Sequence, residues 1–176
     1  QLRKMLAYSS IANLGWMMLI MQFAPPLTML AFSMYIIMTS AVFLTAMSAQ
    51  ATNINMLSTS WSRAPALTAM FPLCVLSLAG LPPLSGFLPK WLILEELTQQ
   101  SLPCTAVVAA LTALLSLYFY LRLSYALSLT SSPNTVSNVT PWRTGKKQMT
   151  LLLALSVMMA TLLLPLAPAL SSLVSP

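Results

Sequence analysis

Apolar residues fill this sequence in long runs separated by two polar stretches, and the runs define its elements. Five of them are long enough to cross a hydrocarbon layer of about 30 Å as helices rising about 1.5 Å per residue. They cover about residues 5–23, 27–49, 65–100, 103–129 and 149–164. The first is expected to stop at Pro25-Pro26, whose missing N–H groups interrupt a helical ladder. The second runs without a charge, and the third opens near Pro65, a residue tolerated in a first turn. Between them, 50–62 is rich in Thr, Asn and Ser and reads as a polar loop. A second polar loop spans 130–147, and Pro165 and Pro168 loosen the end of the last stretch. The pattern predicts an all-α, polytopic transmembrane helix bundle of about five spanning helices in a single membrane domain.

The third stretch cannot be one straight rod. As a continuous helix its residues would span roughly 54 Å, nearly twice the hydrocarbon thickness. Its middle reads AGLPPLSGFLPK over 79–90. Pro82, Pro83 and Pro89 cannot donate to the carbonyls of Leu78, Ala79 and Ser85, while Gly80 and Gly86 relax the backbone on either side. The expectation is two half-helices joined by an unwound stretch near 79–86, with Lys90 just beyond it. Broken helices of this kind hold ion sites in transporters.

Composition narrows the chemistry. The chain has 58% hydrophobic and only 6% charged residues, against about 25% charged in soluble domains, so it lacks the polar surface to face water. It has no His and no Asp, which excludes a Ser-His-Asp triad and any His-containing metal site. The only acids, Glu95 and Glu96, are adjacent and diverge on a helix, so they make no glycosidase pair. Cys74 and Cys104 cannot build a zinc site alone. The net charge of +6 suggests a nucleic-acid binder until its residues are found interleaved with membrane-length apolar runs. With five crossings, Arg3, Lys4, Arg63, Arg143, Lys146 and Lys147 fall on one side and both glutamates on the other. That asymmetry predicts a positive-inside orientation with the N-terminus on the matrix or cytoplasmic side. The chain opens without Met and without a signal peptide, which leads us to expect a longer polypeptide.

Two charges remain inside the spans, Lys90 and Arg122. An ionisable residue at a helix centre costs about 2.5–3.5 kcal/mol or more and marks a functional hypothesis. By position alone, Lys90 is equally suited to snorkelling towards the interface near Glu95. The adjacent Pro-Pro interruption favours function, because an anchoring lysine needs no break. Arg122, seven residues before the end of its helix, favours snorkelling or a neighbouring subunit. Tyr118, Phe119, Tyr120, Tyr125, Trp61, Trp91 and Trp142 suit interfacial anchoring better than a cofactor box. Gly15-Trp16, Ser9, Ser10, Thr39 and Ser40 fit close helix packing or a wet path equally well.

The motifs LRKMLAYSSIANLGWM (2–17), GLPPLSGFLPKW (80–91) and LTALLSLYFYLRLSY (111–125) resemble the antiporter-like chains of mitochondrial NADH–ubiquinone oxidoreductase, complex I. PPLSGFLPKW and YIIMTS (35–40) are similar to the chain 2 branch, and the resemblance covers essentially the whole sequence, as the C-terminal part of that chain. It implies a core membrane subunit of an H⁺-translocating NADH:ubiquinone reductase, with no complete catalytic site in this chain alone. Lys90 matches the lysine of the second broken helix, with Gly80, Pro82, Pro83, Ser85 and Gly86 supporting it. An upstream repeat, with a glutamate and two further lysines, would precede Gln1. The implied setting is the mitochondrial inner membrane, with the C-terminus in the intermembrane space and other complex I membrane subunits and lipid as partners. NADH and ubiquinone would serve the whole complex, with no cofactor, metal or nucleic acid bound here, and there is no Gly-rich phosphate loop. The rivals are a cation/proton antiporter subunit of the same superfamily and a purely structural scaffold.

Overall fold

The computed structural model describes residues 1–62, 65–130, 150–166 and 172, and the described residues form seven α-helices without a strand. The first N–H groups of a helix have no turn before them to bond to. In α1 (Leu2–Ile20) Leu2 donates instead to Thr52 O in the loop after α2, at 3.2 Å. Leu2 and Leu6 are buried, which draws the basic first turn into the helix and moves α1 ahead of the expected 5–23. Its other end, Ile20, comes well before the prolines. Pro25 and Pro26 are the first residues of α2 (Pro25–Ser48), where a missing N–H costs nothing. They start the second helix instead of stopping the first.

The polar stretch after α2 departs from the loop reading. Residues Ile54–Thr59 form a short helix, α3, and Ser60–Ser62 a 3₁₀ turn. Leu57, 1% exposed, anchors α3 against α6, and one buried leucine in a polar window is too weak a pattern to announce a helix. The third apolar stretch divides into α4 (Pro65–Ala79) and α5 (Phe87–Gln99) with an interruption over 80–86. α6 runs over Pro103–Thr130, and α7 over Thr150–Leu162 before a 3₁₀ turn at Leu164–Leu166 that contains Pro165. The loop 130–147 lies, from 131 on, outside the described residues, as do Arg63, Trp142, Arg143, Lys146, Lys147 and Pro168.

Three helices close in the same way. After α2, α4 and α5 the next N–H groups reach back in paired bonds, Ala51 to Ala46 with Gln50 to Met47, Leu81 to Leu76 with Gly80 to Ser77, and Leu102 to Leu97 with Ser101 to Thr98. This is the Schellman closure, which needs one residue at positive φ. Gly80 supplies it at φ 85°, but Gln50 and Ser101 do so at φ 52° and 57°.

α2 is the hub, packing on α1, α4, α5 and α7. Its buried Leu27, Leu30, Ala31, Met34, Met38, Ala41, Val42 and Thr45 recur at helical spacing. One core joins Leu2 and Leu6 to Leu57, Leu123 and Leu127 at one end of the bundle. A second joins Ile20 to Ala31, Ile93, Leu97 and Ala106 at the other. Outside, α6 turns Val107, Leu111, Leu115, Tyr118 and Leu129 outward at more than half exposure, an apolar surface only lipid or protein can cover. By length and hydropathy α2 and α6 each suffice to cross a membrane, while α4 and α7 are shorter apolar helices. The chain is a membrane-embedded helix bundle in which one span is discontinuous.

Candidate functional site

The break is built by backbone geometry before any side chain acts. α4 ends because Gly80 turns left-handed, and the chain then folds through a turn closed by Leu84 N–H to Leu81 O at 2.9 Å, with Pro82 and Pro83 exposed at its centre. Phe87 and Leu88 donate to the carbonyls of Leu84 and Ser85 as α5 begins. Of the three carbonyls deprived by proline, that of Ser85 is thus met by Leu88 N–H. That of Ala79 receives the Lys90 ammonium, Nζ to O 2.7 Å. The side chain runs back towards the end of α4, away from Glu95, so the structure does not show the snorkelling geometry.

Helix ends explain why a cation can rest there. Lys90 sits in the first turn of α5, where its own helix presents partial positive charge. Ala79 O is among the last carbonyls of α4, where partial negative charge gathers, and it faces the ammonium directly. Among the described residues Lys90 makes no ion pair, so a helix terminus takes the place of a carboxylate counter-ion.

Two cavities meet at Lys90. A cleft of about 480 Å³ runs between α1 and α6, lined by Lys90, Asn13, Trp16, Thr105, Thr112 and Ser116 among others. Tyr120 and Ser9 approach each other across it. On the other side a cavity of about 30 Å³ lies against Tyr35, Met38 and Gly86, with room for one water. Asn13, Trp16 and Leu78 line both, and so stand with Lys90 between them. Asn13 carries no proton-binding group, and although it lies within the 2–17 motif, its place beside Lys90 follows only from the packing of α1 on α5.

The two glycines serve different ends. A Cβ on Gly80 would lie 3.1 Å from Lys90 Cδ and 3.2 Å from Gly86 O, in a conformation already unfavourable for L-residues. Gly86 has ordinary helical dihedrals, but a Cβ there would fall 1.8 Å from the Ser77 carbonyl oxygen. Ser85 lies within the interruption but faces α7, not the lysine. Its hydroxyl is fully buried, 3.2 Å from Ser77 Oγ, and both hydroxyls donate to Ala160 O on α7. Ser77 carries no sequence signal, because a lone serine in an apolar helix looks like any other.

The remaining candidates lie elsewhere. Arg122 is exposed on α6, as are Tyr118, Phe119 and Tyr125, but Tyr120 is 7% exposed and belongs to the core. Ser9, Ser10, Thr39 and Ser40 donate to carbonyls of their own helices. Among the described residues nothing lies within 4 Å of a Cβ placed on Gly15, so no helix packs closely there within them.

The family model described as NADH:quinone oxidoreductase/Mrp antiporter, transmembrane, matches residues 1–116, and that of the NADH dehydrogenase subunit 2 C-terminus matches 117–171. NADH-ubiquinone oxidoreductase chain 2 of Formosania lacustris is 58% identical over 173 residues, 98% of this chain and 50% of its own length. The same chain of Oncorhynchus mykiss is 58% identical over 99% of this chain and 50% of its own. That of Danio rerio is 57% identical over 96% of this chain and 49% of its own. The chain spans about half the length of the curated relatives it matches. The first family match contains α1 to α5 and with them both half-helices and Lys90: this chain belongs to the NADH:quinone oxidoreductase/Mrp antiporter transmembrane family.

Proposed function

We propose that this chain contributes to proton translocation in the membrane arm of an NADH:ubiquinone oxidoreductase, with Lys90 as the group that carries the proton. The observation behind this reading is a lysine ammonium resting on a helix-end carbonyl inside a broken span, between two cavities. The proton affinity of a lysine depends on desolvation and on nearby charge, so a shift between the Ala79 carbonyl and a wetter environment would let it release and retake a proton. In each step one N–H bond of the ammonium breaks, its proton passes to water, and the neutral amine later accepts another. The left-handed Gly80 ends α4, Pro82 and Pro83 form the turn that follows, and Pro83 offers no N–H to the Ala79 carbonyl. Gly86 lets the two half-helices approach closely enough to keep the lysine within reach.

Electron transfer belongs to other subunits in this reading, and NADH and ubiquinone are bound outside this chain. The proposed setting is the mitochondrial inner membrane, among other membrane subunits of the complex. The N-terminus of this chain is assigned to the matrix side and its C-terminus to the intermembrane space. Exposed Arg3 and Lys4 at the start of α1 lie at the opposite end of the bundle from Glu95 and Glu96, which supports that orientation.

A second reading follows from the description of the family itself, which includes the Mrp antiporters. A cation/proton exchanger would use the same lysine without redox chemistry. The match of 117–171 to the C-terminal family of an NADH dehydrogenase favours the first. The test is Lys90→Met in the full-length protein within the assembled complex. Proton transfer through this chain should slow about a hundredfold or more while NADH oxidation persists. Unchanged pumping at normal assembly would sink the role of Lys90, and a purified complex with exchange but no NADH oxidation would favour the antiporter.

A further inference from the structure

The carbonyl of Ala160 is one of the last four of α7, so no N–H within the helix completes it. Two hydroxyls reach it instead, Ser77 Oγ from the last turn of α4 and Ser85 Oγ from the interruption, and they lie 3.2 Å from each other. All of Ser77 and Ser85 is buried, and neither hydroxyl behaves like those of Ser9, Ser10, Ser33, Ser40 and Ser116, which bond carbonyls three residues back on their own helices. Ser77 lies two residues before Ala79, the lysine's acceptor, and Ser85 five residues before Lys90. Between them Gly86 is pressed against the Ser77 carbonyl, leaving no space for a side chain. The end of α4 and the start of α5 are thus fastened to each other and to α7 at one point.

We propose that Ser77 and Ser85 are positioning residues. By sharing the α7 carbonyl as acceptor they hold the two half-helices at the separation that sets Lys90 against Ala79, and they tie that geometry to the placement of α7. The inference rests on the assignment of proton transfer to Lys90. The hydroxyls touch neither the ammonium nor its proton, and act through the spacing of the two chain ends.

The experiment uses the full-length protein in its assembled complex, with Ser77→Ala, Ser85→Ala and the double variant beside Lys90→Met. Protons moved per NADH oxidised are measured across a pH series. The proposal expects the proton yield to fall about fivefold in each single variant at unchanged NADH oxidation, the scale of one buried hydrogen bond lost. It also expects a displaced pH profile and a double variant that departs from additivity, because both hydroxyls serve one acceptor. Ser85→Cys, which keeps a weak donor in a similar volume, should recover part of the yield. An assembled double variant with native yield and native pH profile overturns the proposal. If the alanine variants do not assemble, Ser77→Cys and Ser85→Cys decide, and native yield with native profile in both overturns it. Loss of function in Lys90→Met with none in the serine variants rejects the positioning role alone. No loss in Lys90→Met rejects the reading of Lys90 on which it rests.

Discussion

At the residue scale the site consists of a few positions where one atom more or less changes the geometry. Gly86→Ala would force the Ser77 carbonyl aside, and a rigid backbone atom in a closed core has nowhere to move. We expect a loss of about 3 kcal/mol or more, the upper end for overpacking, seen as a lowered Tm of the purified protein or failure to assemble. Gly80→Ala should cost less, about 1–2 kcal/mol for the left-handed backbone, with added displacement of the lysine stem. The Lys90 contact itself is invisible to sequence reasoning, which identifies an intramembrane lysine beside a break but not which carbonyl receives it. The two thiols also differ. Cys74 is fully buried and Cys104 exposed beside the α1–α6 cleft. In the detergent-solubilised protein a maleimide should modify Cys104 quickly and Cys74 only after denaturation, as read by mass spectrometry.

At the element scale the interruption was legible because two independent signals coincide in 79–90, a length excess and a cluster of Pro and Gly. The cause is more specific than the prolines. Gly80 ends α4 by a Schellman closure, and Pro82 and Pro83 occupy an exposed turn. Replacing both prolines with alanine should therefore leave the break in place. The expected cost is about 0.4–1 kcal/mol per proline, from the greater freedom of the unfolded chain. Hydrogen exchange over 80–86 checks this, and a continuous helix there would contradict it. Elements went unread where a special backbone used an ordinary residue. Gln50 and Ser101 end helices at positive φ with no glycine to mark them. α3 was missed because a helix of six residues held by one buried leucine shows no period. Pro25-Pro26 was placed outside a helix because proline signals a boundary without saying which side of it the helix lies.

At the scale of the whole molecule, α2 gathers α1, α4, α5 and α7 while α1 and α6 leave a cleft open to Lys90. The sequence by itself determined a helical membrane bundle, a discontinuous third span and a lysine beside the break. These are local consequences of hydropathy, of helix rise and of backbone groups that proline and glycine alter. Tertiary structure alone decided that Lys90 turns to Ala79, that Asn13 and Tyr35 come near it, and that Ser77 and Ser85 converge on Ala160, about 80 residues away. It also took Tyr120 out of the interfacial aromatic set and into the core. In an apolar helix nearly every face is hydrophobic, so the sequence carries little record of which face meets a neighbour and which meets lipid. Packing resolves that ambiguity, because only the assembled bundle brings a carbonyl without a partner within reach of a donor that needs one.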